Sequence, residues 1–200
     1  MKSKIVIFLF IFLVTGCAFH SEPKDNLEFH QISQLSELAG VYKNKGNPSG
    51  YLSWIIWPDI GEITPASKEV ISSNIKHEDI ELIEVIPKDN SLIVKAISKN
   101  CSIFEKIYIL DQDFKIKDGK IIIRKEAHLL SRGGDDVLLG PSYEDITLGL
   151  NSSKHAKSRS LGYAAGLVLM IFPMAVSDTS DIRYDRVSNK PQNYKNCNNR

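Results

Sequence analysis

The sequence predicts an all-β, mainly antiparallel domain of about seven or eight strands, with one short helix towards its N-terminal side. Three observations predict it. Short apolar or alternating runs recur over residues 40–187, each closed by Gly, Pro, Asn or Asp. Asp118 and Gly119 stand between two alternating flanks, a strong short-range hairpin signal. Helical spacing is legible over residues 31–38, where Ile32, Leu35 and Leu38 recur before Gly40 with Ser33 or Ser36 available as caps, giving a helix of about two turns at most.

In chain order, residues 41–44 form a first short strand, ended by the loop cluster of residues 45–50. Residues 51–57 follow, with Tyr51, Ser53, Ile55 and Trp57 on one side and Leu52, Trp54 and Ile56 on the other. A strand here is apolar on both faces, and Pro58 stops it. Residues 77–86 and 91–98 flank a turn at residues 87–90 and read as a hairpin. Residues 102–110, 114–117 and 120–124 supply three more strands, the last two joined through Asp118 and Gly119. Residues 132–136 form a loop, residues 143–150 a strand, residues 151–160 a polar connection, and residues 182–187 a closing strand. Residues 162–176 carry no charge, and fifteen residues interrupted by Pro173 fall short of the roughly 20 that a spanning helix needs. They read first as a buried strand or hairpin, and second as an apolar loop facing a membrane. A barrel and a two-sheet sandwich both suit this pattern; closure removes exposed edges, which favours a small lipocalin-like barrel.

Ahead of the domain, Lys2 and Lys4 precede ten uninterrupted apolar residues, Ile5 to Val14, and then small residues. That order is a secretory signal peptide, since ten residues cover only about 15 Å as a helix. Leu13-Val14-Thr15-Gly16-Cys17 resembles the lipobox of bacterial lipoproteins. The resemblance implies cleavage after Gly16, a diacylglyceryl group on the Cys17 thiol, and acylation of the new amino terminus. Ala18, in place of aspartate, implies export to the outer membrane in a Gram-negative source. The expected organisation is residues 1–16 as signal peptide, 17–27 as a lipidated tether, 28–188 as the β domain and 189–200 as a polar tail.

Removing residues 1–16 takes away Lys2 and Lys4 and no acidic residue, leaving 23 basic against 24 acidic side chains, a net charge of −1. A near-neutral domain offers no footprint for nucleic acid and no polybasic patch for anionic lipid. The lipid must therefore hold the chain, and more than one acyl chain is needed for stable anchoring. With Cys17 occupied, Cys101 and Cys197 remain as an even pair for a disulfide in an oxidising compartment.

Catalytic signatures are absent. The histidines at 20, 30, 77, 128 and 155 show no metal-ligand spacing, and no metal or cofactor is expected beyond the covalent lipid. Ser73 and Lys76 have Ser-x-x-Lys spacing without the companion motifs of penicillin-binding enzymes. Gly133-Gly134 lacks the phosphate-loop context, and Asp135-Asp136 reads as a solvated loop before it reads as a weak calcium site. Tyr51, Trp54 and Trp57 form the densest aromatic group and the candidate contact surface, if one of their faces is exposed. The leading expectation is a non-enzymatic lipoprotein at the periplasmic face of the outer membrane, binding an envelope protein or an apolar ligand. A protective inhibitor of a toxin or lysozyme-like enzyme, and an envelope hydrolase with a dispersed Ser, His and Asp site, are the alternatives.

Overall fold

Thirteen strands fall into two sheets among the described residues of the computed structural model, which are 17–60, 75–123, 128–130, 138–168 and 172–197. The fold is all-β, as its short alternating runs predict. The chain divides into two compact units.

The larger unit comprises residues 22–123, 147–158 and 181–200. Its first sheet runs in the order β13-β3-β4-β5-β6 and is antiparallel throughout. These strands are β3 (Gly40–Lys43), β4 (Leu82–Lys88), β5 (Ser91–Ser98), β6 (Cys101–Ile109) and β13 (Arg186–Ser188). Its second sheet holds the hairpin of β7 (Phe114–Lys117) and β8 (Lys120–Ile123), beside stretches of β10 (Leu138–Asn151), β11 (Ala156–Val168) and β12 (Phe172–Tyr184). The short strand β2 (Phe29–His30) also pairs with β10. Asp118 and Gly119 carry φ values of 52° and 68°, the positive pair that a type I′ turn needs, and Lys117 pairs with Lys120 across it. At Asp185 the chain passes from β12 of one sheet to β13 of the other, and the Asp185 carbonyl accepts from the Lys43 amide at 2.9 Å.

The core of this unit follows the pleat. Val41, Ile83, Ala96, Ile97, Leu150 and Tyr184 are essentially inaccessible, and each aliphatic side chain among them larger than alanine contributes on the order of 2 kcal/mol by leaving water. In β5 the alternation is visible in burial itself, with Leu92 and Val94 buried between partly exposed neighbours, until Ala96 and Ile97 are both buried at a register shift against β6. The arrangement is sandwich-like, and among the described residues neither sheet closes on itself. The expectation of a barrel is thereby corrected: edges are managed by short terminal strands such as β13, three residues long, and not by closure.

The smaller unit comprises residues 1–21, 124–146 and 159–180. In it β1 (Cys17–Ser21) lies parallel to β12, with Cys17 opposite Val176 and Ser21 opposite Ser180. The three-residue strand β9 (His128–Leu130) pairs antiparallel with β10.

The short helix expected within residues 31–38 is one 3-10 turn, Leu35–Leu38; Glu37 reaches back to the Ser33 amide and hydroxyl, and Ala39 leaves the helical region at ψ 130°. Three other local expectations are corrected. Residues 51–57 hold a one-turn helix, α1 (Leu52–Ile56), in place of a strand. His77–Asp79 is a 3-10 turn ahead of β4 and not its first part. Residues 17–27 are held, not free: Cys17–Ser21 is a strand, and Asp25 and Asn26 bind Arg183 and Asp181. The loop expected at residues 132–136, with Gly133, Gly134, Asp135 and Asp136, lies outside the described residues, as do Ser73 and the signal segment 1–16.

Candidate functional site

Asn44 explains why residues 51–57 turn into a helix. Its carbonyl accepts from the Leu52 amide, and its side-chain oxygen accepts from the Ser53 amide, both at 2.8 Å, so Asn44, the residue directly after β3, occupies two of the first free donors of α1, one with its backbone and one with its side chain. The Asn44 amide group in turn donates to the carbonyls of His77 and Ile80. One turn of helix then buries Leu52, Ser53 and Ile56 and turns Trp54 outward.

The three aromatic candidates consequently separate. Trp54 is 50% exposed, standing edge-on to Tyr51 at 5.2 Å and to His77 at 6.2 Å between ring centroids. Tyr51 is partly exposed. Trp57 belongs to the core, with its ring 6.3 Å from that of Phe104, and is removed from the contact surface. What remains is a partly exposed cluster of Tyr51, Trp54 and His77 in edge-on ring contact.

His77 Nδ1 lies 2.9 Å from Ser53 Oγ, the spacing of a base and a nucleophile. Burial holds the His77 imidazole below its ordinary pKa, opposed by a hydrogen bond to the backbone of Ile60. Ser53, however, is completely buried, so its hydroxyl cannot meet a substrate, and the group steadying the ring is a backbone atom and not a carboxylate. The contact locks α1 to the turn at His77. Of the other histidines, His30 bonds Glu37 and Lys154, and His155 Nδ1 accepts from the Arg186 amide. His20 is exposed on β1, and the His128 side chain lies outside the described residues. No group of three His, Cys, Asp or Glu able to hold a metal ion occurs among the described residues.

Inside the larger unit is a cavity of about 90 Å³, walled by Tyr42, Ile56, Val94, Tyr108, Phe114 and Leu150 among others, with Lys157 the only charged residue on its boundary among the described residues. The lysine head points away into polar partners: the Asp181 carboxylate at 2.9 Å, Asn26 Oδ1 at 2.5 Å and the Leu27 carbonyl at 2.8 Å. The cavity is therefore apolar and smaller than the roughly 300 to 1,000 Å³ of ordinary ligand sites.

Two further clusters were invisible in the linear pattern. Glu37 accepts from the Ser33 amide, Lys154 and His30; the first of these, followed by the other two, holds its carboxyl well below the usual carboxylate range. Glu84, fully buried on β4, accepts from the amides of Gln192, Asn193 and Tyr194, so an internal carboxylate fastens the polar tail. The tail also pairs at Ser102 with Asn196, and Cys101 and Cys197 form a disulfide with Cα atoms 5.1 Å apart. Charged residues inside strands, Glu84 and Lys157 above all, were the available sequence signal, since such groups are rarely buried without partners.

Comparison with protein-family models, with curated proteins and with solved structures finds no match to this chain.

Proposed function

We propose that this chain is a non-enzymatic lipoprotein, anchored through Cys17 at the periplasmic face of the outer membrane in a Gram-negative source, whose larger unit recognises another envelope protein. The observation that carries this reading is Leu13-Val14-Thr15-Gly16-Cys17 directly after an apolar run too short to span a bilayer. The half-exposed Trp54, held by Tyr51 and His77, supports recognition of a protein surface, and an inhibitor of a toxin or lysozyme-like enzyme is one form such recognition would take. Growth with a tagged fatty acid tests the anchor. Wild type is expected to take up the tag and Cys17→Ala to lose it, whereas equal labelling of both defeats the reading.

A second reading, a carrier of a small apolar molecule, draws on the cavity in the larger unit. A volume near 90 Å³ admits only a few heavy atoms, which favours surface recognition over carriage. Saturable quenching of protein fluorescence by benzene-sized ligands, lost in Val94→Phe, would reverse that preference.

A further inference from the structure

β6 ends the five-stranded sheet, and the chain itself closes its outer edge at two places. Where the strand begins, the Ser102 amide donates to the Lys195 carbonyl at 2.8 Å, and Ser102 bridges Asn196 in parallel. Where it ends, the Ile109 amide donates to Asp113 Oδ2 at 2.7 Å, and the Ile109 carbonyl accepts from the Asp113 amide at 2.9 Å. The Leu110 amide faces the opposite way, donating to the Asn90 carbonyl at 2.9 Å. Alternation along an antiparallel ladder therefore turns the amides and carbonyls of Glu105 and Ile107 away from β5, like those of Ile109. Those four groups have no partner among the described residues.

The sheet face beside this opening is apolar. Ile86, Ile93 and Ile107 stand in register across β4, β5 and β6, on the face turned away from the core residues Leu92, Val94 and Tyr108. Ile107 is 55% exposed, and Ile109 on the same face 43%. The neighbouring row of Glu84, Lys95 and Glu105 already has its partners: tail amides bond Glu84, the Tyr194 carbonyl accepts from Lys95, and Lys95 lies 3.7 Å from Glu105. Lys106 is on the core side of the edge. Its ammonium donates to the Ile56 carbonyl at 3.2 Å and stands over the Tyr108 ring, with no carboxylate bonded to it among the described residues.

From these relations we infer that β6 takes an extended segment of another envelope protein as an added strand along Glu105 to Ile107, with an acidic residue of that segment opposite Lys106 and aliphatic residues on either side of it. The inference rests on the reading of the larger unit as a module that recognises a protein, and it names the form of the partner. Extended backbone presents donors and acceptors at the two-residue repeat of Glu105 and Ile107, and strand addition to a sheet edge is a general mode of peptide recognition. The aliphatic neighbours of the acidic residue reach the face of Ile107 and Ile93, where burial of apolar area adds to the main-chain bonds. Charge disfavours a second copy of this chain as the occupant. Pairing β6 with itself about the open stretch sets Lys106 opposite its own twin, with Cα atoms about 4.5 Å apart. Lysine on an edge strand is a common guard against such self-pairing.

The test uses the full chain, purified from membranes in detergent, and a dye-labelled peptide, Lys-Thr-Ile-Asp-Ile-Thr-Lys, followed by fluorescence anisotropy. Saturable binding is expected, weakened about tenfold by Ile107→Pro, which removes one outward amide and leaves the ladder to β5 in place. Lys106→Glu is expected to weaken binding about three- to tenfold, and a peptide with lysine in place of aspartate to recover it. Adjacent amides of a strand point to opposite sides. A methyl group on the aspartate amide and one on the following isoleucine amide should therefore differ, one abolishing binding and the other sparing it. No saturable binding to wild type, indifference to both substitutions, or equal effects of the two methyl groups overturns the inference. In cells, a benzophenone side chain in place of Trp54 or of Ile107 separates it from the reading it rests on. Adducts with an envelope protein at Ile107 that diminish in Lys106→Glu are the expected result. Adducts at Trp54 alone overturn strand addition and leave protein recognition standing, whereas adducts at neither position defeat both.

Discussion

The Lys157 ammonium lies 2.9 Å from the Asp181 carboxylate, with 2% of one side chain and none of the other accessible to water. Asn26 bridges them, donating to Asp181 at 2.8 Å and accepting from Lys157, and the Phe29 ring lies under the ammonium at 5.0 Å. A pair so enclosed stabilises less by its attraction than it would cost if broken, since the surviving charge has no water to turn to. Asp181→Ala is expected to lower the unfolding free energy by about 3 to 5 kcal/mol in urea titrations, and Lys157→Met with Asp181→Leu to recover most of that loss. A single substitution within about 0.5 kcal/mol of wild type would show that the pair is not buried as described.

Glu37 gives a pH dependence of opposite chemistry. Its carboxyl is held below its ordinary value of 4.5, first by the Ser33 amide and then by Lys154 and His30. A depressed acid stabilises the fold above its unfolded pKa, and the contribution disappears as pH falls through the folded value. Glu37→Gln should therefore cost about 1 kcal/mol at pH 7, an amount reduced because a quarter of the side chain is exposed. The difference from wild type should shrink steadily below pH 4.5, as followed by thermal unfolding. A difference independent of pH would assign the loss to packing.

His77 behaves as a base whose charging is disfavoured. Burial lowers its pKa from 6.5, so the unfolded chain binds this proton first and stability declines as pH falls below 6.5. Trp54, in edge contact with the ring, reports on the same region. His77→Gln should flatten the stability profile between pH 6.5 and 5 relative to wild type, and an unchanged slope would remove His77 from the titration.

The disulfide closes a separation of 96 residues and secures the tail that Glu84 binds. In the chain-entropy account a loop of that length is worth about 4 to 5 kcal/mol. Cys197→Ser should lower the urea midpoint by a corresponding amount and expose residues 190–197 to limited proteolysis. A tail that stays protected would mean that Glu84 alone is sufficient.

Legibility in the sequence followed the physics of each segment. Local rules sufficed where the deciding partners are adjacent, as at Asp118 and Gly119, whose positive φ values need only each other and the flanking strands. They failed at residues 51–57, because the partner that makes them helical is Asn44, which directly follows β3 and caps α1. The same remoteness concealed the buried pair, in which Lys157 and Asp181 are in different strands and Asn26 lies far from both in sequence. A strand puts Trp54 and Trp57 on opposite faces without telling which of them is buried; that is decided by α1 and by the extended exit of the chain at Trp57. The uncharged stretch of residues 162–176 was plain in sequence, yet its relation to Cys17 appears only in the register of β1 against β12.

The anchor is tested most directly by mass spectrometry of the N-terminal tryptic peptide from protein extracted out of membranes. The account predicts a peptide beginning at Cys17 and ending at Lys24, carrying the mass of a diacylglyceryl group and an additional acyl chain. An unmodified peptide 17–24, or one still joined to residues before Cys17, would contradict it.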